Sequence, residues 1–127
     1  MTLLVSLSLV ATSYLTAQSS PPVFYGPYEL PHAGQFEGEW TRSDGTYKMV
    51  LSIDAGKLKA EYFNPSPIHV ESTSVVEAED ALVLKVILRD EGYPGSLYEL
   101  EYLPQFKVLA GRYTIPGQEP AEVYFTQ

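Results

Sequence analysis

Between residues 46 and 53 apolar side chains fall on every second position, Tyr47, Met49, Leu51 and Ile53, with Lys48 and Ser52 between them. A strand sends successive side chains to opposite faces, so this run predicts a strand with one face buried. Leu58, Ala60 and Tyr62 alternate with Lys57, Lys59 and Glu61 in the same way, and upstream Phe36 and Trp40 alternate with Glu37, Glu39 and Thr41. The rhythm returns at 68–76, 82–88, 97–102, 108–114 and 122–126. Eight strands are expected, and no stretch carries a long helical period.

The segments between them are short and made of turn formers: SDG at 43–45, DAG at 54–56, NPSP at 64–67, EAED at 77–80, DEGYPGS at 90–96, PQ at 104–105 and PGQEP at 116–120. Links of this length force sequence neighbours to pair antiparallel, because a parallel return needs a crossover of a dozen residues or more. An open meander would expose two edges, which closure removes. The fold class predicted is therefore all-β, an eight-stranded antiparallel up-and-down β-barrel over residues 35–127. Its inward set includes Trp40, Tyr62, Ile68, Val70, Leu84, Tyr98, Leu100 and Phe125, and acids such as Glu39, Glu61, Glu71 and Glu99 face out. Eight strands enclose a space that side chains fill or that holds one small ligand.

Ahead of the barrel, residues 1–17 carry no charge and lead into QSSPP, the pattern of a secretory signal with Ala17 as the last residue before the cut. The usual basic start is missing, and Val5, Leu7 and Leu9 alternate with Ser6 and Ser8, which is also how a strand reads. The run is too rich in Ser and Thr for a membrane span of about 20 apolar residues, so no span is expected in the mature chain. Residues 18–34 form a Pro- and Gly-rich arm in which Phe24, Tyr25 and Tyr28 offer apolar docking groups. A secreted or periplasmic location follows from this reading.

Composition narrows the chemistry. In 127 residues there is no Cys, which removes disulfides, thiolate zinc sites and Cys nucleophiles. Sixteen acids against eight bases give a net charge of -8, and a chain so acidic repels phosphate backbones, so nucleic acid is excluded as a partner. His32 lies in the arm and His69 on an outward position, with no hydroxyl or acid relay around either. No metal spacing, cofactor motif or catalytic residue is read, and the chain is not expected to be an enzyme.

The run GEWTRSDGTYKMVLSI followed by GKLKAEYFN resembles the opening of avidin- and lipocalin-type barrels through Gly38, Trp40, Gly45, Gly56, Leu58 and Tyr62. The segments YFNPSPI and LRDEGYPGSLYELEY are similar to those of a group of uncharacterised secreted bacterial proteins. The resemblance implies a calycin-type barrel with Trp40 plugging one end, and carries no ligand contacts onto this chain. Independently of it, Arg112 or Arg42 is expected over the Trp40 ring as a cation.

In an up-and-down barrel alternate links share an end. SDG, NPSP, DEGYPGS and PGQEP form one rim, and the tighter DAG, EAED and PQ form the other. The first rim is the expected mouth, with Pro94 and Gly95 setting its longest turn and Tyr62, Asn64, Arg89, Asp90, Tyr93, Ser96 and Tyr98 as ligand-binding residues. The leading reading is a secreted small barrel that binds a small, partly apolar ligand there. Its alternatives are a protein-interaction module, such as an inhibitor or envelope component, and a structural subunit that pairs with a protein partner through an N-terminal strand.

Overall fold

A computed structural model describes residues 23–25 and 33–127; the segment 1–17 and most of the arm lie outside the described residues. The barrel is built from β2 (Gly38–Arg42), β3 (Lys48–Asp54), β4 (Lys57–Phe63), β5 (Pro67–Ile68), β6 (Val70–Ala78), β7 (Ala81–Asp90), β8 (Tyr93–Leu103), β9 (Val108–Thr114) and β10 (Ala121–Thr126). A further strand from the arm, β1 (Val23–Tyr25), pairs with β6, and a single 3-10 turn at Ala33–Phe36 leads into β2. All pairings are antiparallel, and the order β1-β6-β7-β8-β9-β10-β2-β3-β4-β5 makes one sheet. β5 and β6 are the two halves of the single strand expected over 68–76, so the eight predicted strands are present and their sheet curls into a nearly closed barrel.

Closure works by one strand changing partners. β5 pairs with β4 through Tyr62↔Ile68 and Phe63↔Pro67, and one residue later β6 takes up β7, with His69 O accepting from Arg89 N at 3.1 Å. Beyond that clasp β4 and β6 diverge, leaving a surface groove of about 630 Å³ lined by Leu58, Ala60, Val70 and Thr73 among others. β1 covers the same edge of β6 further along, opposite Val75, Val76 and Glu77.

Tight turns carry the second rim. Ala55–Gly56 and Glu79–Asp80 both have positive φ at their two central positions, the backbone whose twist matches that of the flanking strands. At the first rim the link after β7 is shorter than its sequence suggests. Asp90 pairs with Tyr93, so Glu91 and Gly92 alone make the turn, and Pro94 and Gly95 lie inside β8. They form an irregularity in the ladder, where Leu88↔Ser96 is followed by Arg89↔Pro94. A second shift, between Val70 and Ser72, reverses the phase of β6. That is why Val75 is buried although Ile68 and Val70 point inward seven and five residues earlier.

Buried side chains line the core from one end to the other. Phe36 and Trp40 occupy the second rim, where the Trp40 indole donates to Phe36 O at 2.9 Å and meets Tyr102 edge-on at 6.1 Å. Met49, Leu51, Leu84, Val86, Leu100 and Leu109 fill the middle, and Tyr62, Tyr98 and Phe125 the first rim. Trp40 therefore plugs an end as expected, but no arginine stacks on it: Arg112 pairs with Glu99 on the outer surface, and Arg42 lies at the opposite end.

One glycine sets the distance between two strands. A Cβ on Gly111 would run into the carbonyl of its cross-strand neighbourhood at Glu99. Gly111→Ala should therefore cost about 2 kcal/mol in urea unfolding, the usual range for forcing an extra methyl into a packed site, whereas Gly34→Ala, which meets nothing, should stay within about 0.5 kcal/mol.

Candidate functional site

β2 delivers an arginine into the mouth of the barrel. Gly38, Trp40 and Arg42 share one face of the strand, and because Trp40 points inward so does Arg42. Its backbone closes the following turn, Arg42 N donating to Tyr47 O at 2.9 Å. The guanidinium lies over the Tyr47 ring at 4.1 Å and within 5.4 Å of the Tyr113 ring, a cation held between π faces. Nη1 donates to Tyr98 OH at 2.7 Å, while Nε and Nη2 grip Asp44 Oδ1 and Oδ2 at 2.6 and 2.9 Å. Only 11% of the Arg42 side chain is exposed against 56% for Asp44, so the pair joins a sunken cation to a carboxylate on the lip.

Below the arginine the phenols form a connected layer. Tyr62 OH and Tyr98 OH are 2.8 Å apart across the interior, and Tyr98 lies 4.4 Å from Tyr113, its cross-strand partner. Tyr93 meets Tyr62 edge-on at 6.1 Å, and its hydroxyl accepts from Asn64 Nδ2 at 2.7 Å. The irregularity at Pro94 and Gly95 makes this possible. Tyr93 and Ser96 differ in parity, and in a regular strand they would face opposite ways; the extra residue turns both toward the core. Ser96 is fully buried, and its Oγ lies against the Tyr113 phenol without making a hydrogen bond of acceptable geometry.

Of the seven residues expected at this rim, Tyr62, Asn64, Tyr93, Ser96 and Tyr98 converge, and two do not. Arg89 points outward, ion-paired with Glu71 at 2.6 Å and lying over Gly95. Asp90 organises backbone instead, accepting from His69 N at 2.7 Å and Glu91 N at 2.8 Å, which holds its carboxyl below the usual range. Arg42, Asp44, Tyr47 and Tyr113 also belong to the cluster: Asp44 stands on the SDG link of this rim and Tyr47 and Tyr113 on the inward face, and none of the four was expected as a ligand contact. The signal for Arg42 was its position two residues after Trp40. No group of three or more potential metal ligands exists among the described residues, and no helix among them is long and apolar enough to cross a membrane.

The electrostatics follow the burial. Burial raises the Tyr62 pKa well above the ordinary value, reinforced by its Tyr98 neighbour. Tyr98 is pushed up to about 12 by burial, with the hydrogen bonds to Tyr62 and Arg42 pulling back. Burial also raises Tyr113, and nearby Ser96 opposes it. Desolvation works against the Arg42 charge, but Asp44 and Tyr98 more than offset it, and the guanidinium holds the Asp44 carboxyl below its usual range.

These shifts predict sensitivity to alkali. An unfolded tyrosine ionises near pH 10, whereas Tyr98 in the barrel keeps its proton until about pH 12. Its contribution is thus fully present below pH 10 and is lost as pH rises from 10 through 12, on the order of 2 kcal/mol. Urea unfolding across that window should show the fall, and Tyr98→Phe should make it shallower, with Tyr62 and Tyr113 supplying what remains, while lowering stability near neutral pH.

No protein-family model, no curated protein and no solved structure matches this chain.

Proposed function

We propose that this protein is a non-enzymatic binding barrel, secreted or periplasmic, that takes a small, partly apolar molecule at the first rim. The observation that carries the reading is the Ser96 hydroxyl, fully buried against the Tyr113 phenol in poor hydrogen-bond geometry, within a layer of aromatic rings. A hydroxyl shut away from water without a partner costs stability, and such groups call for an explanation outside the folding of the chain itself. A ligand that accepts from Ser96, Tyr93 or Tyr62 supplies one. Because the interior below Tyr98 is filled, the molecule sits at the rim, its apolar part against Tyr47, Tyr93 and Tyr113. The phenols of the layer are held protonated rather than poised as bases near neutral pH, which favours binding over bond making in this reading.

A second reading, a protein-interaction module, draws on the opposite end. Phe106, in the turn after β8, is 67% exposed, and Tyr124 on the outer face of β10 is 49% exposed. Large apolar side chains left in water are the anchors that a protein partner covers.

Ser96→Ala separates binding from folding. Deleting an unpartnered buried hydroxyl should leave stability unchanged or raise it by about 1 kcal/mol in urea unfolding, yet lower ligand affinity about tenfold. Native mass spectrometry of protein purified from its own source, wild type against Ser96→Ala and Tyr98→Phe, reads out the bound molecule. Full retention in both folded variants would overturn the rim site.

A further inference from the structure

Resting on the rim-binding reading, we infer that the polar end of the ligand is a carboxylate, and that Asp44 is a built-in stand-in that the ligand must displace.

The first ground is the imbalance between donors and acceptors. A guanidinium only donates, so the Tyr98 oxygen accepts from Arg42. Tyr62 and Tyr98 share one hydrogen bond between two hydroxyls, and whichever proton lies in it, the other phenol proton is left over. The Tyr93 oxygen accepts from Asn64, a bond that does not use the Tyr93 proton. Ser96 contributes a further hydroxyl without a partner. Donors from β2, β4 and β8 thus surround one end of the barrel together with a cation. The one carboxylate among the described residues of this cluster is Asp44. A group that only accepts satisfies such a set, and a ligand cation would be repelled by Arg42.

The second ground is shape. Asp44 engages Arg42 through two oxygens on two nitrogens, the planar fork-to-fork pairing that guanidinium makes with carboxylates. The side chain providing it stands on the exposed 43–46 turn and is more than half in solvent, whereas the arginine is nearly buried. A sunken charge whose counter-ion comes from an exposed turn is a site in which the counter-ion is the replaceable part. Tyr47 and Tyr113 keep the guanidinium in place when Asp44 leaves, because their ring contacts do not depend on the turn carboxylate.

The third ground concerns affinity. Asp44 competes at the high local concentration that tethering gives, so the wild-type site discriminates against simple carboxylates and favours a ligand that adds ring contacts of its own.

Benzoate is the probe, with benzamide as its neutral match and inorganic phosphate as the non-planar anion. Titrations followed by NMR of labelled tyrosine rings should show weak benzoate binding to the wild type and binding about tenfold tighter to Asp44→Asn, which keeps the size of the side chain and loses its charge. Asp44→Ser serves the same purpose if the asparagine perturbs the turn, and the unfolding midpoint of each variant establishes that it is folded. Benzamide and phosphate should gain less than about twofold. Equal benzoate affinity in wild type and both Asp44 variants would overturn the inference, as would gains of the same size for benzamide or for phosphate. If Ser96→Ala still releases the co-purified molecule while benzoate ignores Asp44, the carboxylate assignment falls and the rim site stands. If neither Ser96→Ala nor Tyr98→Phe releases it, the rim site itself falls.

Discussion

Tyr62 belongs to β4 and Tyr98 to β8, strands far apart in the sheet order, yet their hydroxyls meet at 2.8 Å. They do so because the sheet has come round on itself and faces its own far side. Every other feature of the first rim leans on that meeting across the interior. Arg42 reaches Tyr98 from a third strand, Tyr113 stacks beside it from a fourth, and Phe125 turns an edge to it at 5.4 Å from a fifth. The phenol relay is thus a property of closure, and it would not survive in the same residues laid out as an open sheet.

The position of the charge follows from the same geometry. Taking a guanidinium out of water is costly, and a lone carboxylate beside it rarely repays the loss. Here Asp44, the Tyr98 oxygen and two ring faces share the task, which explains how a cation sits in the mouth of a barrel whose remaining inner residues are almost all apolar. The opposite end needs no such device, because Trp40 and Phe36 close it with one indole hydrogen bond to backbone. The two ends therefore differ in kind: one is an apolar plug, the other a hydrogen-bonded layer with an excess of donors.

Much of this was legible in the alternation of side chains. Strand positions, antiparallel order, the division of the links between two rims and the burial of residues such as Trp40, Leu84 and Tyr98 all follow from a period of two and from short links. What resisted reading were the places where that period slips. The irregularity at Pro94 and Gly95 looks in sequence like a turn, and the turn proper is only Glu91 and Gly92. The slip between Val70 and Ser72 hides the inward direction of Val75. Arg89 was expected among the rim contacts because it borders the longest link; its guanidinium instead lies on the outer face, over the bare backbone of Gly95, toward Glu71. Arg42 was the reverse case: expected against the Trp40 indole, it shares that residue's parity and lies inside, against Tyr47 and Tyr98.

The clasp between β4 and β5 is only two residue pairs long, while the ladder between β6 and β7 on the other side of the bend runs the length of the strand. Local opening is easiest where the fewest backbone bonds must break together. Two seams in this cylinder are that short, β4 with β5 beside Tyr62 and β10 with β2 at Arg42, so the aromatic layer borders both of the places where the fewest residue pairs hold the wall together.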